Sequence, residues 1–247
     1  MDNAFWHQRF ILQSLWTKPL RNHLYKKLNL HAHSKILELG SGTGALLEEN
    51  LTISPYTFGL DFDHARTIFA KQNFPDALLT TANAYHLPFP TGSFDLSFCH
   101  YLLLWIDNPV DVLKEMRRVT RPGGTVIAFA EPDYHARIDT PQIFQEIAVL
   151  QNESLQNQGV RLDTGRRLMQ YFTNAGFSDV SMGMLSGEWN SKQTTKFELE
   201  WEIIAHDLQE VLPPEKINEL KLKAFESYAR GGAISFIPTF YAWASVE

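Results

Sequence analysis

Apolar residues recur every three or four positions near the start of the chain, a spacing typical of helices. They are Phe5, Phe10, Leu12, Leu15, Trp16, Leu20, Leu24 and Leu28. Proline fits only the first turn of a helix, and threonine is a favourable N-cap. We therefore predict two helices between residues 3 and 29, with Pro19 in the first turn of the second and Thr17 as its cap.

Short apolar runs alternate with amphipathic segments in the rest of the chain. The runs predict seven strands: Lys35–Leu39, Tyr56–Leu60, Ala77–Thr81, Phe94–His100, Thr125–Ala130, Ser178–Leu185 and Phe236–Val246. The other segments predict helices: Gly44–Asn50, Asp63–Gln72, Asn108–Thr120, Gln142–Gln158, Thr164–Ala175, Thr195–Leu212 and Glu215–Ala229. This alternation predicts an α/β fold with a doubly wound, mostly parallel seven-stranded sheet. No linker interrupts it, so we expect one domain over residues 1–247.

The composition excludes several classes of function. The formal net charge of -6 argues against a nucleic-acid partner, which needs a basic surface. The single cysteine, Cys99, forms neither an internal disulfide nor a thiolate zinc site, as is typical of a cytoplasmic protein. The longest apolar stretch is too short to span a bilayer. We predict no metal site, and the oligomeric state stays open, with a homodimer as one alternative.

A glycine-rich turn, GSGTGA, follows the first predicted strand. Open α/β sheets bind ligands at the carboxyl ends of their strands, which is where Gly40, Gly42 and Gly44 lie. The spacing fits an S-adenosylmethionine site and also, through Ala45, the relaxed dinucleotide motif. Asp61 follows Gly40 by about 20 residues, as a ribose-binding acid should for either ligand.

Two features favour S-adenosylmethionine over a dinucleotide. Glu38 lies in the first strand, two residues before Gly40, and a carboxylate at a ligand-facing strand end requires a partner. S-adenosylmethionine carries an ammonium and a sulfonium, whereas a pyrophosphate would be repelled. The chain also lacks a tyrosine followed four residues later by lysine, the pair common in short-chain reductases.

Four segments resemble successive motifs of class I S-adenosylmethionine-dependent methyltransferases: ILELGSGTG, GLDFD, ANAYHLPFPTGSFDLSFCHYLLLWI and EMRRVTRPGGTVIAFAEPD. The resemblance covers residues 30–133 and is greatest to small-molecule enzymes with a domain of the ubiquinone/menaquinone type. It implies a Rossmann-like sheet with an N-terminal helical lid and a helical insertion before the last strand. The corresponding parts are a helical cap over 1–30, a cofactor-binding core over 31–135 and an insertion over 190–232.

The resemblance also implies cofactor contacts. Glu38 and the glycine turn would lie at the methionine end of the cofactor; the turn residues are Gly40, Ser41, Gly42 and Gly44. Asp61 would accept hydrogen bonds from both ribose hydroxyls, and Phe62 would flank the adenine. Asn83 and Ala84 would lie at the adenine edge, where many relatives have aspartate in place of Asn83.

The predicted lid and insertion supply further candidates. Arg9 shares a helix face with Trp6, Gln13 and Trp16, and we assign it to the cofactor. The tryptophans either contact the sulfonium or pack the helix against the sheet. Apolar residues of the insertion either line an acceptor pocket or face the core of their helices; they are Phe197, Trp201, Ile204 and Phe225.

Methyl transfer is an in-line displacement that depends on alignment and on exclusion of water. A base is needed only when the acceptor must lose a proton. The candidates for a base or acceptor contact are His100, Asp133 and His135. The alternative for His100 is a neutral histidine that is hydrogen-bonded in the core, and the alternative for Asp133 and His135 is a polar loop without a catalytic role. His100 is also a candidate cofactor contact. Two other functions stay open: a non-catalytic module that binds S-adenosylmethionine or S-adenosylhomocysteine, and an NAD(P)-binding oxidoreductase.

Overall fold

The computed structural model describes residues 2–185, 187 and 195–247. These residues form two compact units. The first contains the described residues up to Glu131, Gly165–Gly183 and Phe240–Glu247, and the second the described parts of Pro132–Thr164 and Met184–Thr239. Residues 190–194 of the predicted insertion lie outside the described part of the chain. The assignment of all 247 residues to one domain stays a prediction.

The described residues form helices and strands that alternate along most of the chain. The helices are α1 (Asn3–Lys27), α2 (Leu47–Ile53), α3 (His64–Asn73), α4 (Pro109–Val119), α5 (Gln142–Asn157), α6 (Thr164–Asn174), α7 (Thr195–Leu208) and α8 (Pro214–Ala229). The strands are β1 (Ile36–Leu39), β2 (Thr57–Asp61), β3 (Leu78–Thr81), β4 (Phe94–Cys99), β5 (Thr120–Pro132), β6 (Ile138–Thr140), β7 (Val180–Leu185), β8 (Ile234–Phe236) and β9 (Thr239–Ser245).

Seven strands form one sheet in the order β3-β2-β1-β4-β5-β9-β7. The pairs β1–β2, β1–β4, β2–β3 and β4–β5 are all parallel. The order reverses between β1 and β4, and open α/β sheets bind ligands at this switch point. The predicted α/β fold with a doubly wound, mostly parallel seven-stranded sheet is therefore confirmed.

The centre of the sheet is buried on both faces. All four residues of β1 are buried, and α4 contributes an apolar face of four fully buried side chains: Val112, Leu113, Met116 and Val119. Such burial of apolar area is the main stabilising contribution to folding. It also places the one acidic side chain of β1, that of Glu38, in surroundings where ionisation is unfavourable.

The prediction of two N-terminal helices is wrong. The helix α1 continues from Asn3 to Lys27 with Pro19 inside it. Proline removes a single backbone N–H from the helix, and strong tertiary contacts hold the residues on either side. Arg21 is fully buried and forms a 2.7 Å ion pair with Glu49, and the hydroxyl of Thr17 lies 2.8 Å from His100 Nε2. Tertiary contacts therefore outweigh the local preference.

Several predicted element boundaries also change; for example, the strand predicted over Thr125–Ala130 spans Thr120–Pro132. The helix predicted from Gly44 begins at Leu47, because Gly44 has a φ of 88°, which no right-handed helix contains. The predicted last strand is divided into β8 and β9. Pro238 lies between them and has no N–H to give to a sheet. β8 pairs antiparallel with the short strand β6, which the sequence did not predict.

The second unit has a core of its own, formed by α5, α7 and α8. Its buried residues are Phe144, Ile147, Phe197, Trp201, Leu208, Ile217 and Ala224. Phe197 and Trp201 stack with ring centroids 5.8 Å apart, and Ile204 packs against the same cluster. Phe225, by contrast, is 42% exposed. No helix in the described part of the chain has the length and apolar character that crossing a membrane requires.

Candidate active site

The turn after β1 has a backbone that only glycine adopts readily. Gly40 and Gly42 have φ values of 70° and 52°, in the left-handed region. The N–H groups of Gly40 and Ser41 donate to the carbonyl of Leu60 at 2.7 and 3.0 Å, which holds the turn against the end of β2. A Cβ atom on Gly40 would lie 2.9 Å from the side chain of Leu102. The turn is therefore fixed on both sides.

Asp61 ends β2 beside this turn and is 8% exposed. One carboxylate oxygen, Oδ2, accepts the N–H of Gly42 at 2.7 Å. The other, Oδ1, accepts the N–H of Asp63 at 2.8 Å. A carboxylate offers about four acceptor positions, so each oxygen keeps capacity for a ligand hydroxyl. This arrangement suits a ribose diol.

Glu38 is a buried acceptor at the same end of the sheet. Its side chain is 3% exposed, and Oε2 has no hydrogen-bond partner among the described residues. Burial raises the pKa of Glu38 to about 8; Arg21 opposes this shift, and Asp61 and Glu49 add to it. An unsatisfied buried acceptor is unfavourable. A ligand that brings a donor, above all a cationic one, would relieve it.

The first half of α1 lies against the glycine turn. His7 Nδ1 is 3.1 Å from Thr43 Oγ1, and a Cβ atom on Gly42 would lie 3.7 Å from the ring of Phe10. Arg9, 8% exposed, lies over the ring of Trp16 with its guanidinium carbon 5.5 Å from the centroid. The predicted lid helix thus contacts the turn, whereas the role of Arg9 toward the cofactor stays a prediction.

A polar network beneath the site joins α1 to the end of β4. His100 follows β4, and its Nε2 is 2.8 Å from the hydroxyl of Thr17. Arg21 also donates to that hydroxyl and binds Glu49 through two hydrogen bonds of 2.9 and 2.7 Å. Burial, with a smaller effect of Arg21, lowers the pKa of His100 to about 3. His100 is therefore a neutral hydrogen-bonding group at physiological pH and a weak base.

The strand order arranges the candidate residues in a row. Asn83 follows β3, Asp61 ends β2, Gly40 follows β1 and His100 follows β4, while the sheet runs β3-β2-β1-β4. Carboxyl ends of parallel strands share one edge. An extended ligand with its ribose at Asp61 can therefore reach Asn83 on one side and the segment after β4 on the other.

Comparison with known proteins decides the nature of that ligand. Residues 37–128, which contain the turn and Asp61, match the methyltransferase domain family. The demethylmenaquinone methyltransferase of Renibacterium salmoninarum is 26% identical over 166 residues, covering 62% of this chain and 70% of that protein. Its namesake from Oceanobacillus iheyensis is 28% identical over 191 residues, covering 69% and 80%. The solved geranyl diphosphate C-methyltransferase of Streptomyces coelicolor, in complex with S-adenosyl-L-homocysteine, superimposes with a TM-score of 0.60 at 12% identity, over 96% of this chain and 80% of that one.

Residues 37–128 are a methyltransferase domain, and the chain is an S-adenosylmethionine-dependent methyltransferase. Its methyl donor is S-adenosylmethionine, which supplies a methyl group activated by the sulfonium. The residues of this methyltransferase fit that donor. Glu38 Oε2 has no hydrogen-bond partner in the described part of the chain, so an ammonium would be favourable there, and Asp61 keeps acceptor capacity for ribose. A nicotinamide dinucleotide would bring an anionic pyrophosphate to this end of the sheet, where the carboxylate of Glu38 would repel it.

The adenine end of the methyltransferase site is more open. Phe62 is 82% exposed, so its ring is accessible for an adenine to stack on. Asn83 is exposed, and its Oδ1 accepts the N–H of Tyr85 at 3.0 Å. Its amide NH₂ group can donate to an adenine ring nitrogen. Ala84 is 9% exposed and belongs to the core. These adenine contacts stay predictions.

The sequence did not predict that Arg118 holds the segment after β3 in place. Arg118 on α4 donates to the carbonyls of Phe89 and Leu87 at 2.8 and 3.0 Å. It also forms a 2.7 Å ion pair with Glu115, which accepts the N–H of Leu87 at 2.8 Å. The EMRR sequence marks this helix face as polar, but only the fold brings it to residues so distant in the chain.

We expect Arg118→Ala to loosen the adenine end of the site. The free energy of unfolding should fall by about 1–2 kcal/mol, because hydrogen bonds to two carbonyls are lost. Affinity should fall by roughly threefold, about 0.7 kcal/mol, for both S-adenosylhomocysteine and methylthioadenosine, which lacks the amino-acid part. Thermal unfolding and calorimetry measure these effects. Arg121→Ala, which removes an exposed 2.7 Å ion pair with Asp95, is the matched control, and unchanged affinities in Arg118→Ala would contradict the prediction.

The three candidate catalytic residues lie in different units. His100 belongs to the first, and Asp133 and His135 to the second. Asp133 is 1% exposed, and its N–H donates to the carbonyl of Pro238 at 2.8 Å. His135 is exposed and lines a cavity of about 380 Å³ together with Arg137, Gln145 and Asn152, among others. Catalytic roles for these three residues stay predictions.

Proposed function

We propose that this methyltransferase transfers the methyl group to a small-molecule acceptor by in-line displacement, with the cofactor held by the turn after β1. The observation that carries the proposal is the presence of an acid near the carboxyl end of each of two neighbouring strands. Glu38 offers a buried acceptor that no described residue satisfies, and Asp61 is fixed to the turn through Gly42. Together they match the two ends of a homocysteine–ribose unit, one cationic and one a diol.

We further propose that the acceptor is a ring hydroxyl compound such as a phenol or a quinol, which needs a weaker base than an alcohol does. His100 is a weak base because burial lowers its pKa to about 3. The thiol of Cys99 is fully buried, which raises its pKa well above the usual value. Two relatives named demethylmenaquinone methyltransferases support a quinol-like ring as the first acceptor to test. Alignment and exclusion of water would then supply most of the rate enhancement.

A screen of acceptors tests this proposal, with release of S-adenosylhomocysteine as the readout. The panel contains quinols and phenols beside amines, carboxylates and prenyl diphosphates of similar size. We expect turnover with one of the ring acceptors and background release with Asp61→Ala. Turnover confined to amines would overturn the acceptor class, and equal turnover by Asp61→Ala would overturn the assignment of the cofactor site.

A cytoplasmic location accompanies the proposed function. The supporting observation is the single cysteine, because proteins exported to oxidising compartments commonly rely on disulfides. Fractionation of cells that express the tagged chain would test it.

A further inference from the structure

Glu131 is a buried acid that is not among the proposed cofactor contacts. It lies near the end of β5 and is fully buried. Sequence reasoning gave it no role, and the cofactor contacts do not include it. Both oxygens of its carboxyl group nevertheless accept hydrogen bonds, so its burial does not leave an unsatisfied polar group in the core.

The partners of Glu131 are three successive backbone N–H groups. Oε1 accepts those of Leu102 and Leu103 at 3.1 and 2.9 Å, and Oε2 accepts that of Leu104 at 3.0 Å. Consecutive N–H groups that converge on one anion form a nest. Here the acceptor is a carboxyl side chain of the protein itself, so the conformation of residues 102–104 depends on it.

The residue before this segment has an unusual backbone conformation. Tyr101 has a φ of 53°, which is uncommon for a residue with a side chain and requires support from its surroundings. Its N–H donates to the carbonyl of Ala130 at 3.2 Å, next to Glu131 in β5. Burial raises the pKa of Glu131 to about 8, while the three N–H groups act in the opposite direction.

The segment held by Glu131 borders the glycine turn. The side chain of Leu102 lies 2.9 Å from the position that a Cβ atom of Gly40 would occupy. Cys99 is the parallel neighbour of Leu39, so the residues after β4 flank the turn on the side opposite to Asp61. The ribose end of the cofactor belongs to the Asp61 side, and its amino-acid end therefore extends toward Leu102.

We propose that Glu131 is a positioning residue that sets the shape of the methionine end of the cofactor site through residues 102–104. This inference rests on the proposed placement of the cofactor. Glu131 is not among the proposed cofactor contacts; it holds the backbone that carries Leu102 against Gly40. Its loss should therefore weaken recognition of the amino-acid part of the cofactor and leave recognition of the adenosine part intact.

The variant Glu131→Gln tests this role with two ligands. Whichever way the amide is oriented, its NH₂ group replaces an acceptor and faces a backbone N–H. We expect the affinity for S-adenosylhomocysteine to fall about tenfold, while the affinity for methylthioadenosine stays within about twofold of wild type. Calorimetry gives both dissociation constants, and their ratio is a readout that general destabilisation does not change.

Asp95→Asn is the matched control. Asp95 also accepts a backbone N–H, that of Lys35 at 2.7 Å, but at the amino end of β4, away from the turn. We expect lower thermal stability and an unchanged ratio of the two dissociation constants. If Glu131→Gln does not fold, Leu102→Ala tests the same segment and should weaken S-adenosylhomocysteine alone.

The possible outcomes distinguish the role of Glu131 from the proposed cofactor site. Wild-type protein that binds both ligands, with an unchanged ratio in Glu131→Gln or Leu102→Ala, overturns the role of Glu131 only. Wild-type protein that fails to bind S-adenosylhomocysteine overturns the proposed site and this inference together. A ratio that shifts about tenfold in Glu131→Gln and not in Asp95→Asn supports the positioning role.

Discussion

Asp61→Ala is expected to abolish cofactor binding at ordinary concentrations, with an affinity for S-adenosylhomocysteine at least about 100-fold below wild type. A hydrogen bond to a charged group contributes about 1.5–3 kcal/mol, and the proposed geometry gives Asp61 one to each ribose hydroxyl. The substitution also removes the acceptor of the Gly42 N–H, so the turn itself should lose order. Methylthioadenosine, which keeps the ribose, should weaken to a similar extent.

Calorimetry of the folded variant measures this loss, with Asp63→Ala as the matched control. Asp63 lies two residues further on and caps α3 by accepting the N–H groups of Ala65 and Arg66. Its replacement should lower the free energy of unfolding by about 1 kcal/mol and leave both ligand affinities unchanged. An Asp61→Ala protein that bound S-adenosylhomocysteine within about threefold of wild type would contradict the assignment of Asp61 to the ribose.

Glu38→Gln is expected to weaken S-adenosylhomocysteine by about 10- to 100-fold and to abolish a proton release that accompanies binding. Without ligand, the pKa of Glu38 is about 8, so the carboxyl is mostly protonated at neutral pH. A bound ammonium favours the ionised form and lowers this pKa. Binding near pH 7 should therefore release nearly one proton in wild type and none in the variant.

The sign of the pH dependence follows from these shifts. Because the bound state has the lower pKa, affinity should rise as the pH increases from about 6 and level off above about 8, the pKa of Glu38 without ligand. Stability of the ligand-free protein should change in the opposite sense. A pKa raised from 4.5 to about 8 gives a contribution that is complete below the unfolded value and is lost as the pH rises through the folded one.

Calorimetry in phosphate and in Tris at pH 7 counts the released protons, because the two buffers differ in their heat of ionisation. Methylthioadenosine is the internal control, since it lacks the ammonium and should release no proton from wild type. Identical binding enthalpies for S-adenosylhomocysteine in the two buffers would contradict the proposed role of Glu38. Glu38→Gln should also resist alkaline unfolding better than wild type in the absence of ligand.

The sequence was sufficient to predict where the candidate cofactor residues lie. The glycine turn, the acid two residues before it and the acid that ends the next strand are neighbours, because parallel pairing brings their strand ends to one edge; their contacts with the cofactor stay predictions. The uninterrupted helix α1 could not be predicted, because the buried contact between Arg21 and Glu49 outweighs the local preference of Pro19. Glu131 was missed for the same reason, since its partners lie 27–29 residues earlier in the chain.

The helix α1 is buried more extensively in its carboxyl-terminal half than in its amino-terminal half. Four of its six buried residues, Thr17, Arg21, Leu24 and Tyr25, belong to the last three turns, whereas only Arg9 and Ser14 are buried in the first half. Local opening requires least free energy where few side chains are buried. With the cofactor placed at the glycine turn as proposed, fraying of the first turns would open a path to it, while the last turns would stay packed against the sheet. The same helix would then be anchored at its carboxyl end and able to open at its amino end, and substitutions that loosen the first turns would change the rate of cofactor exchange.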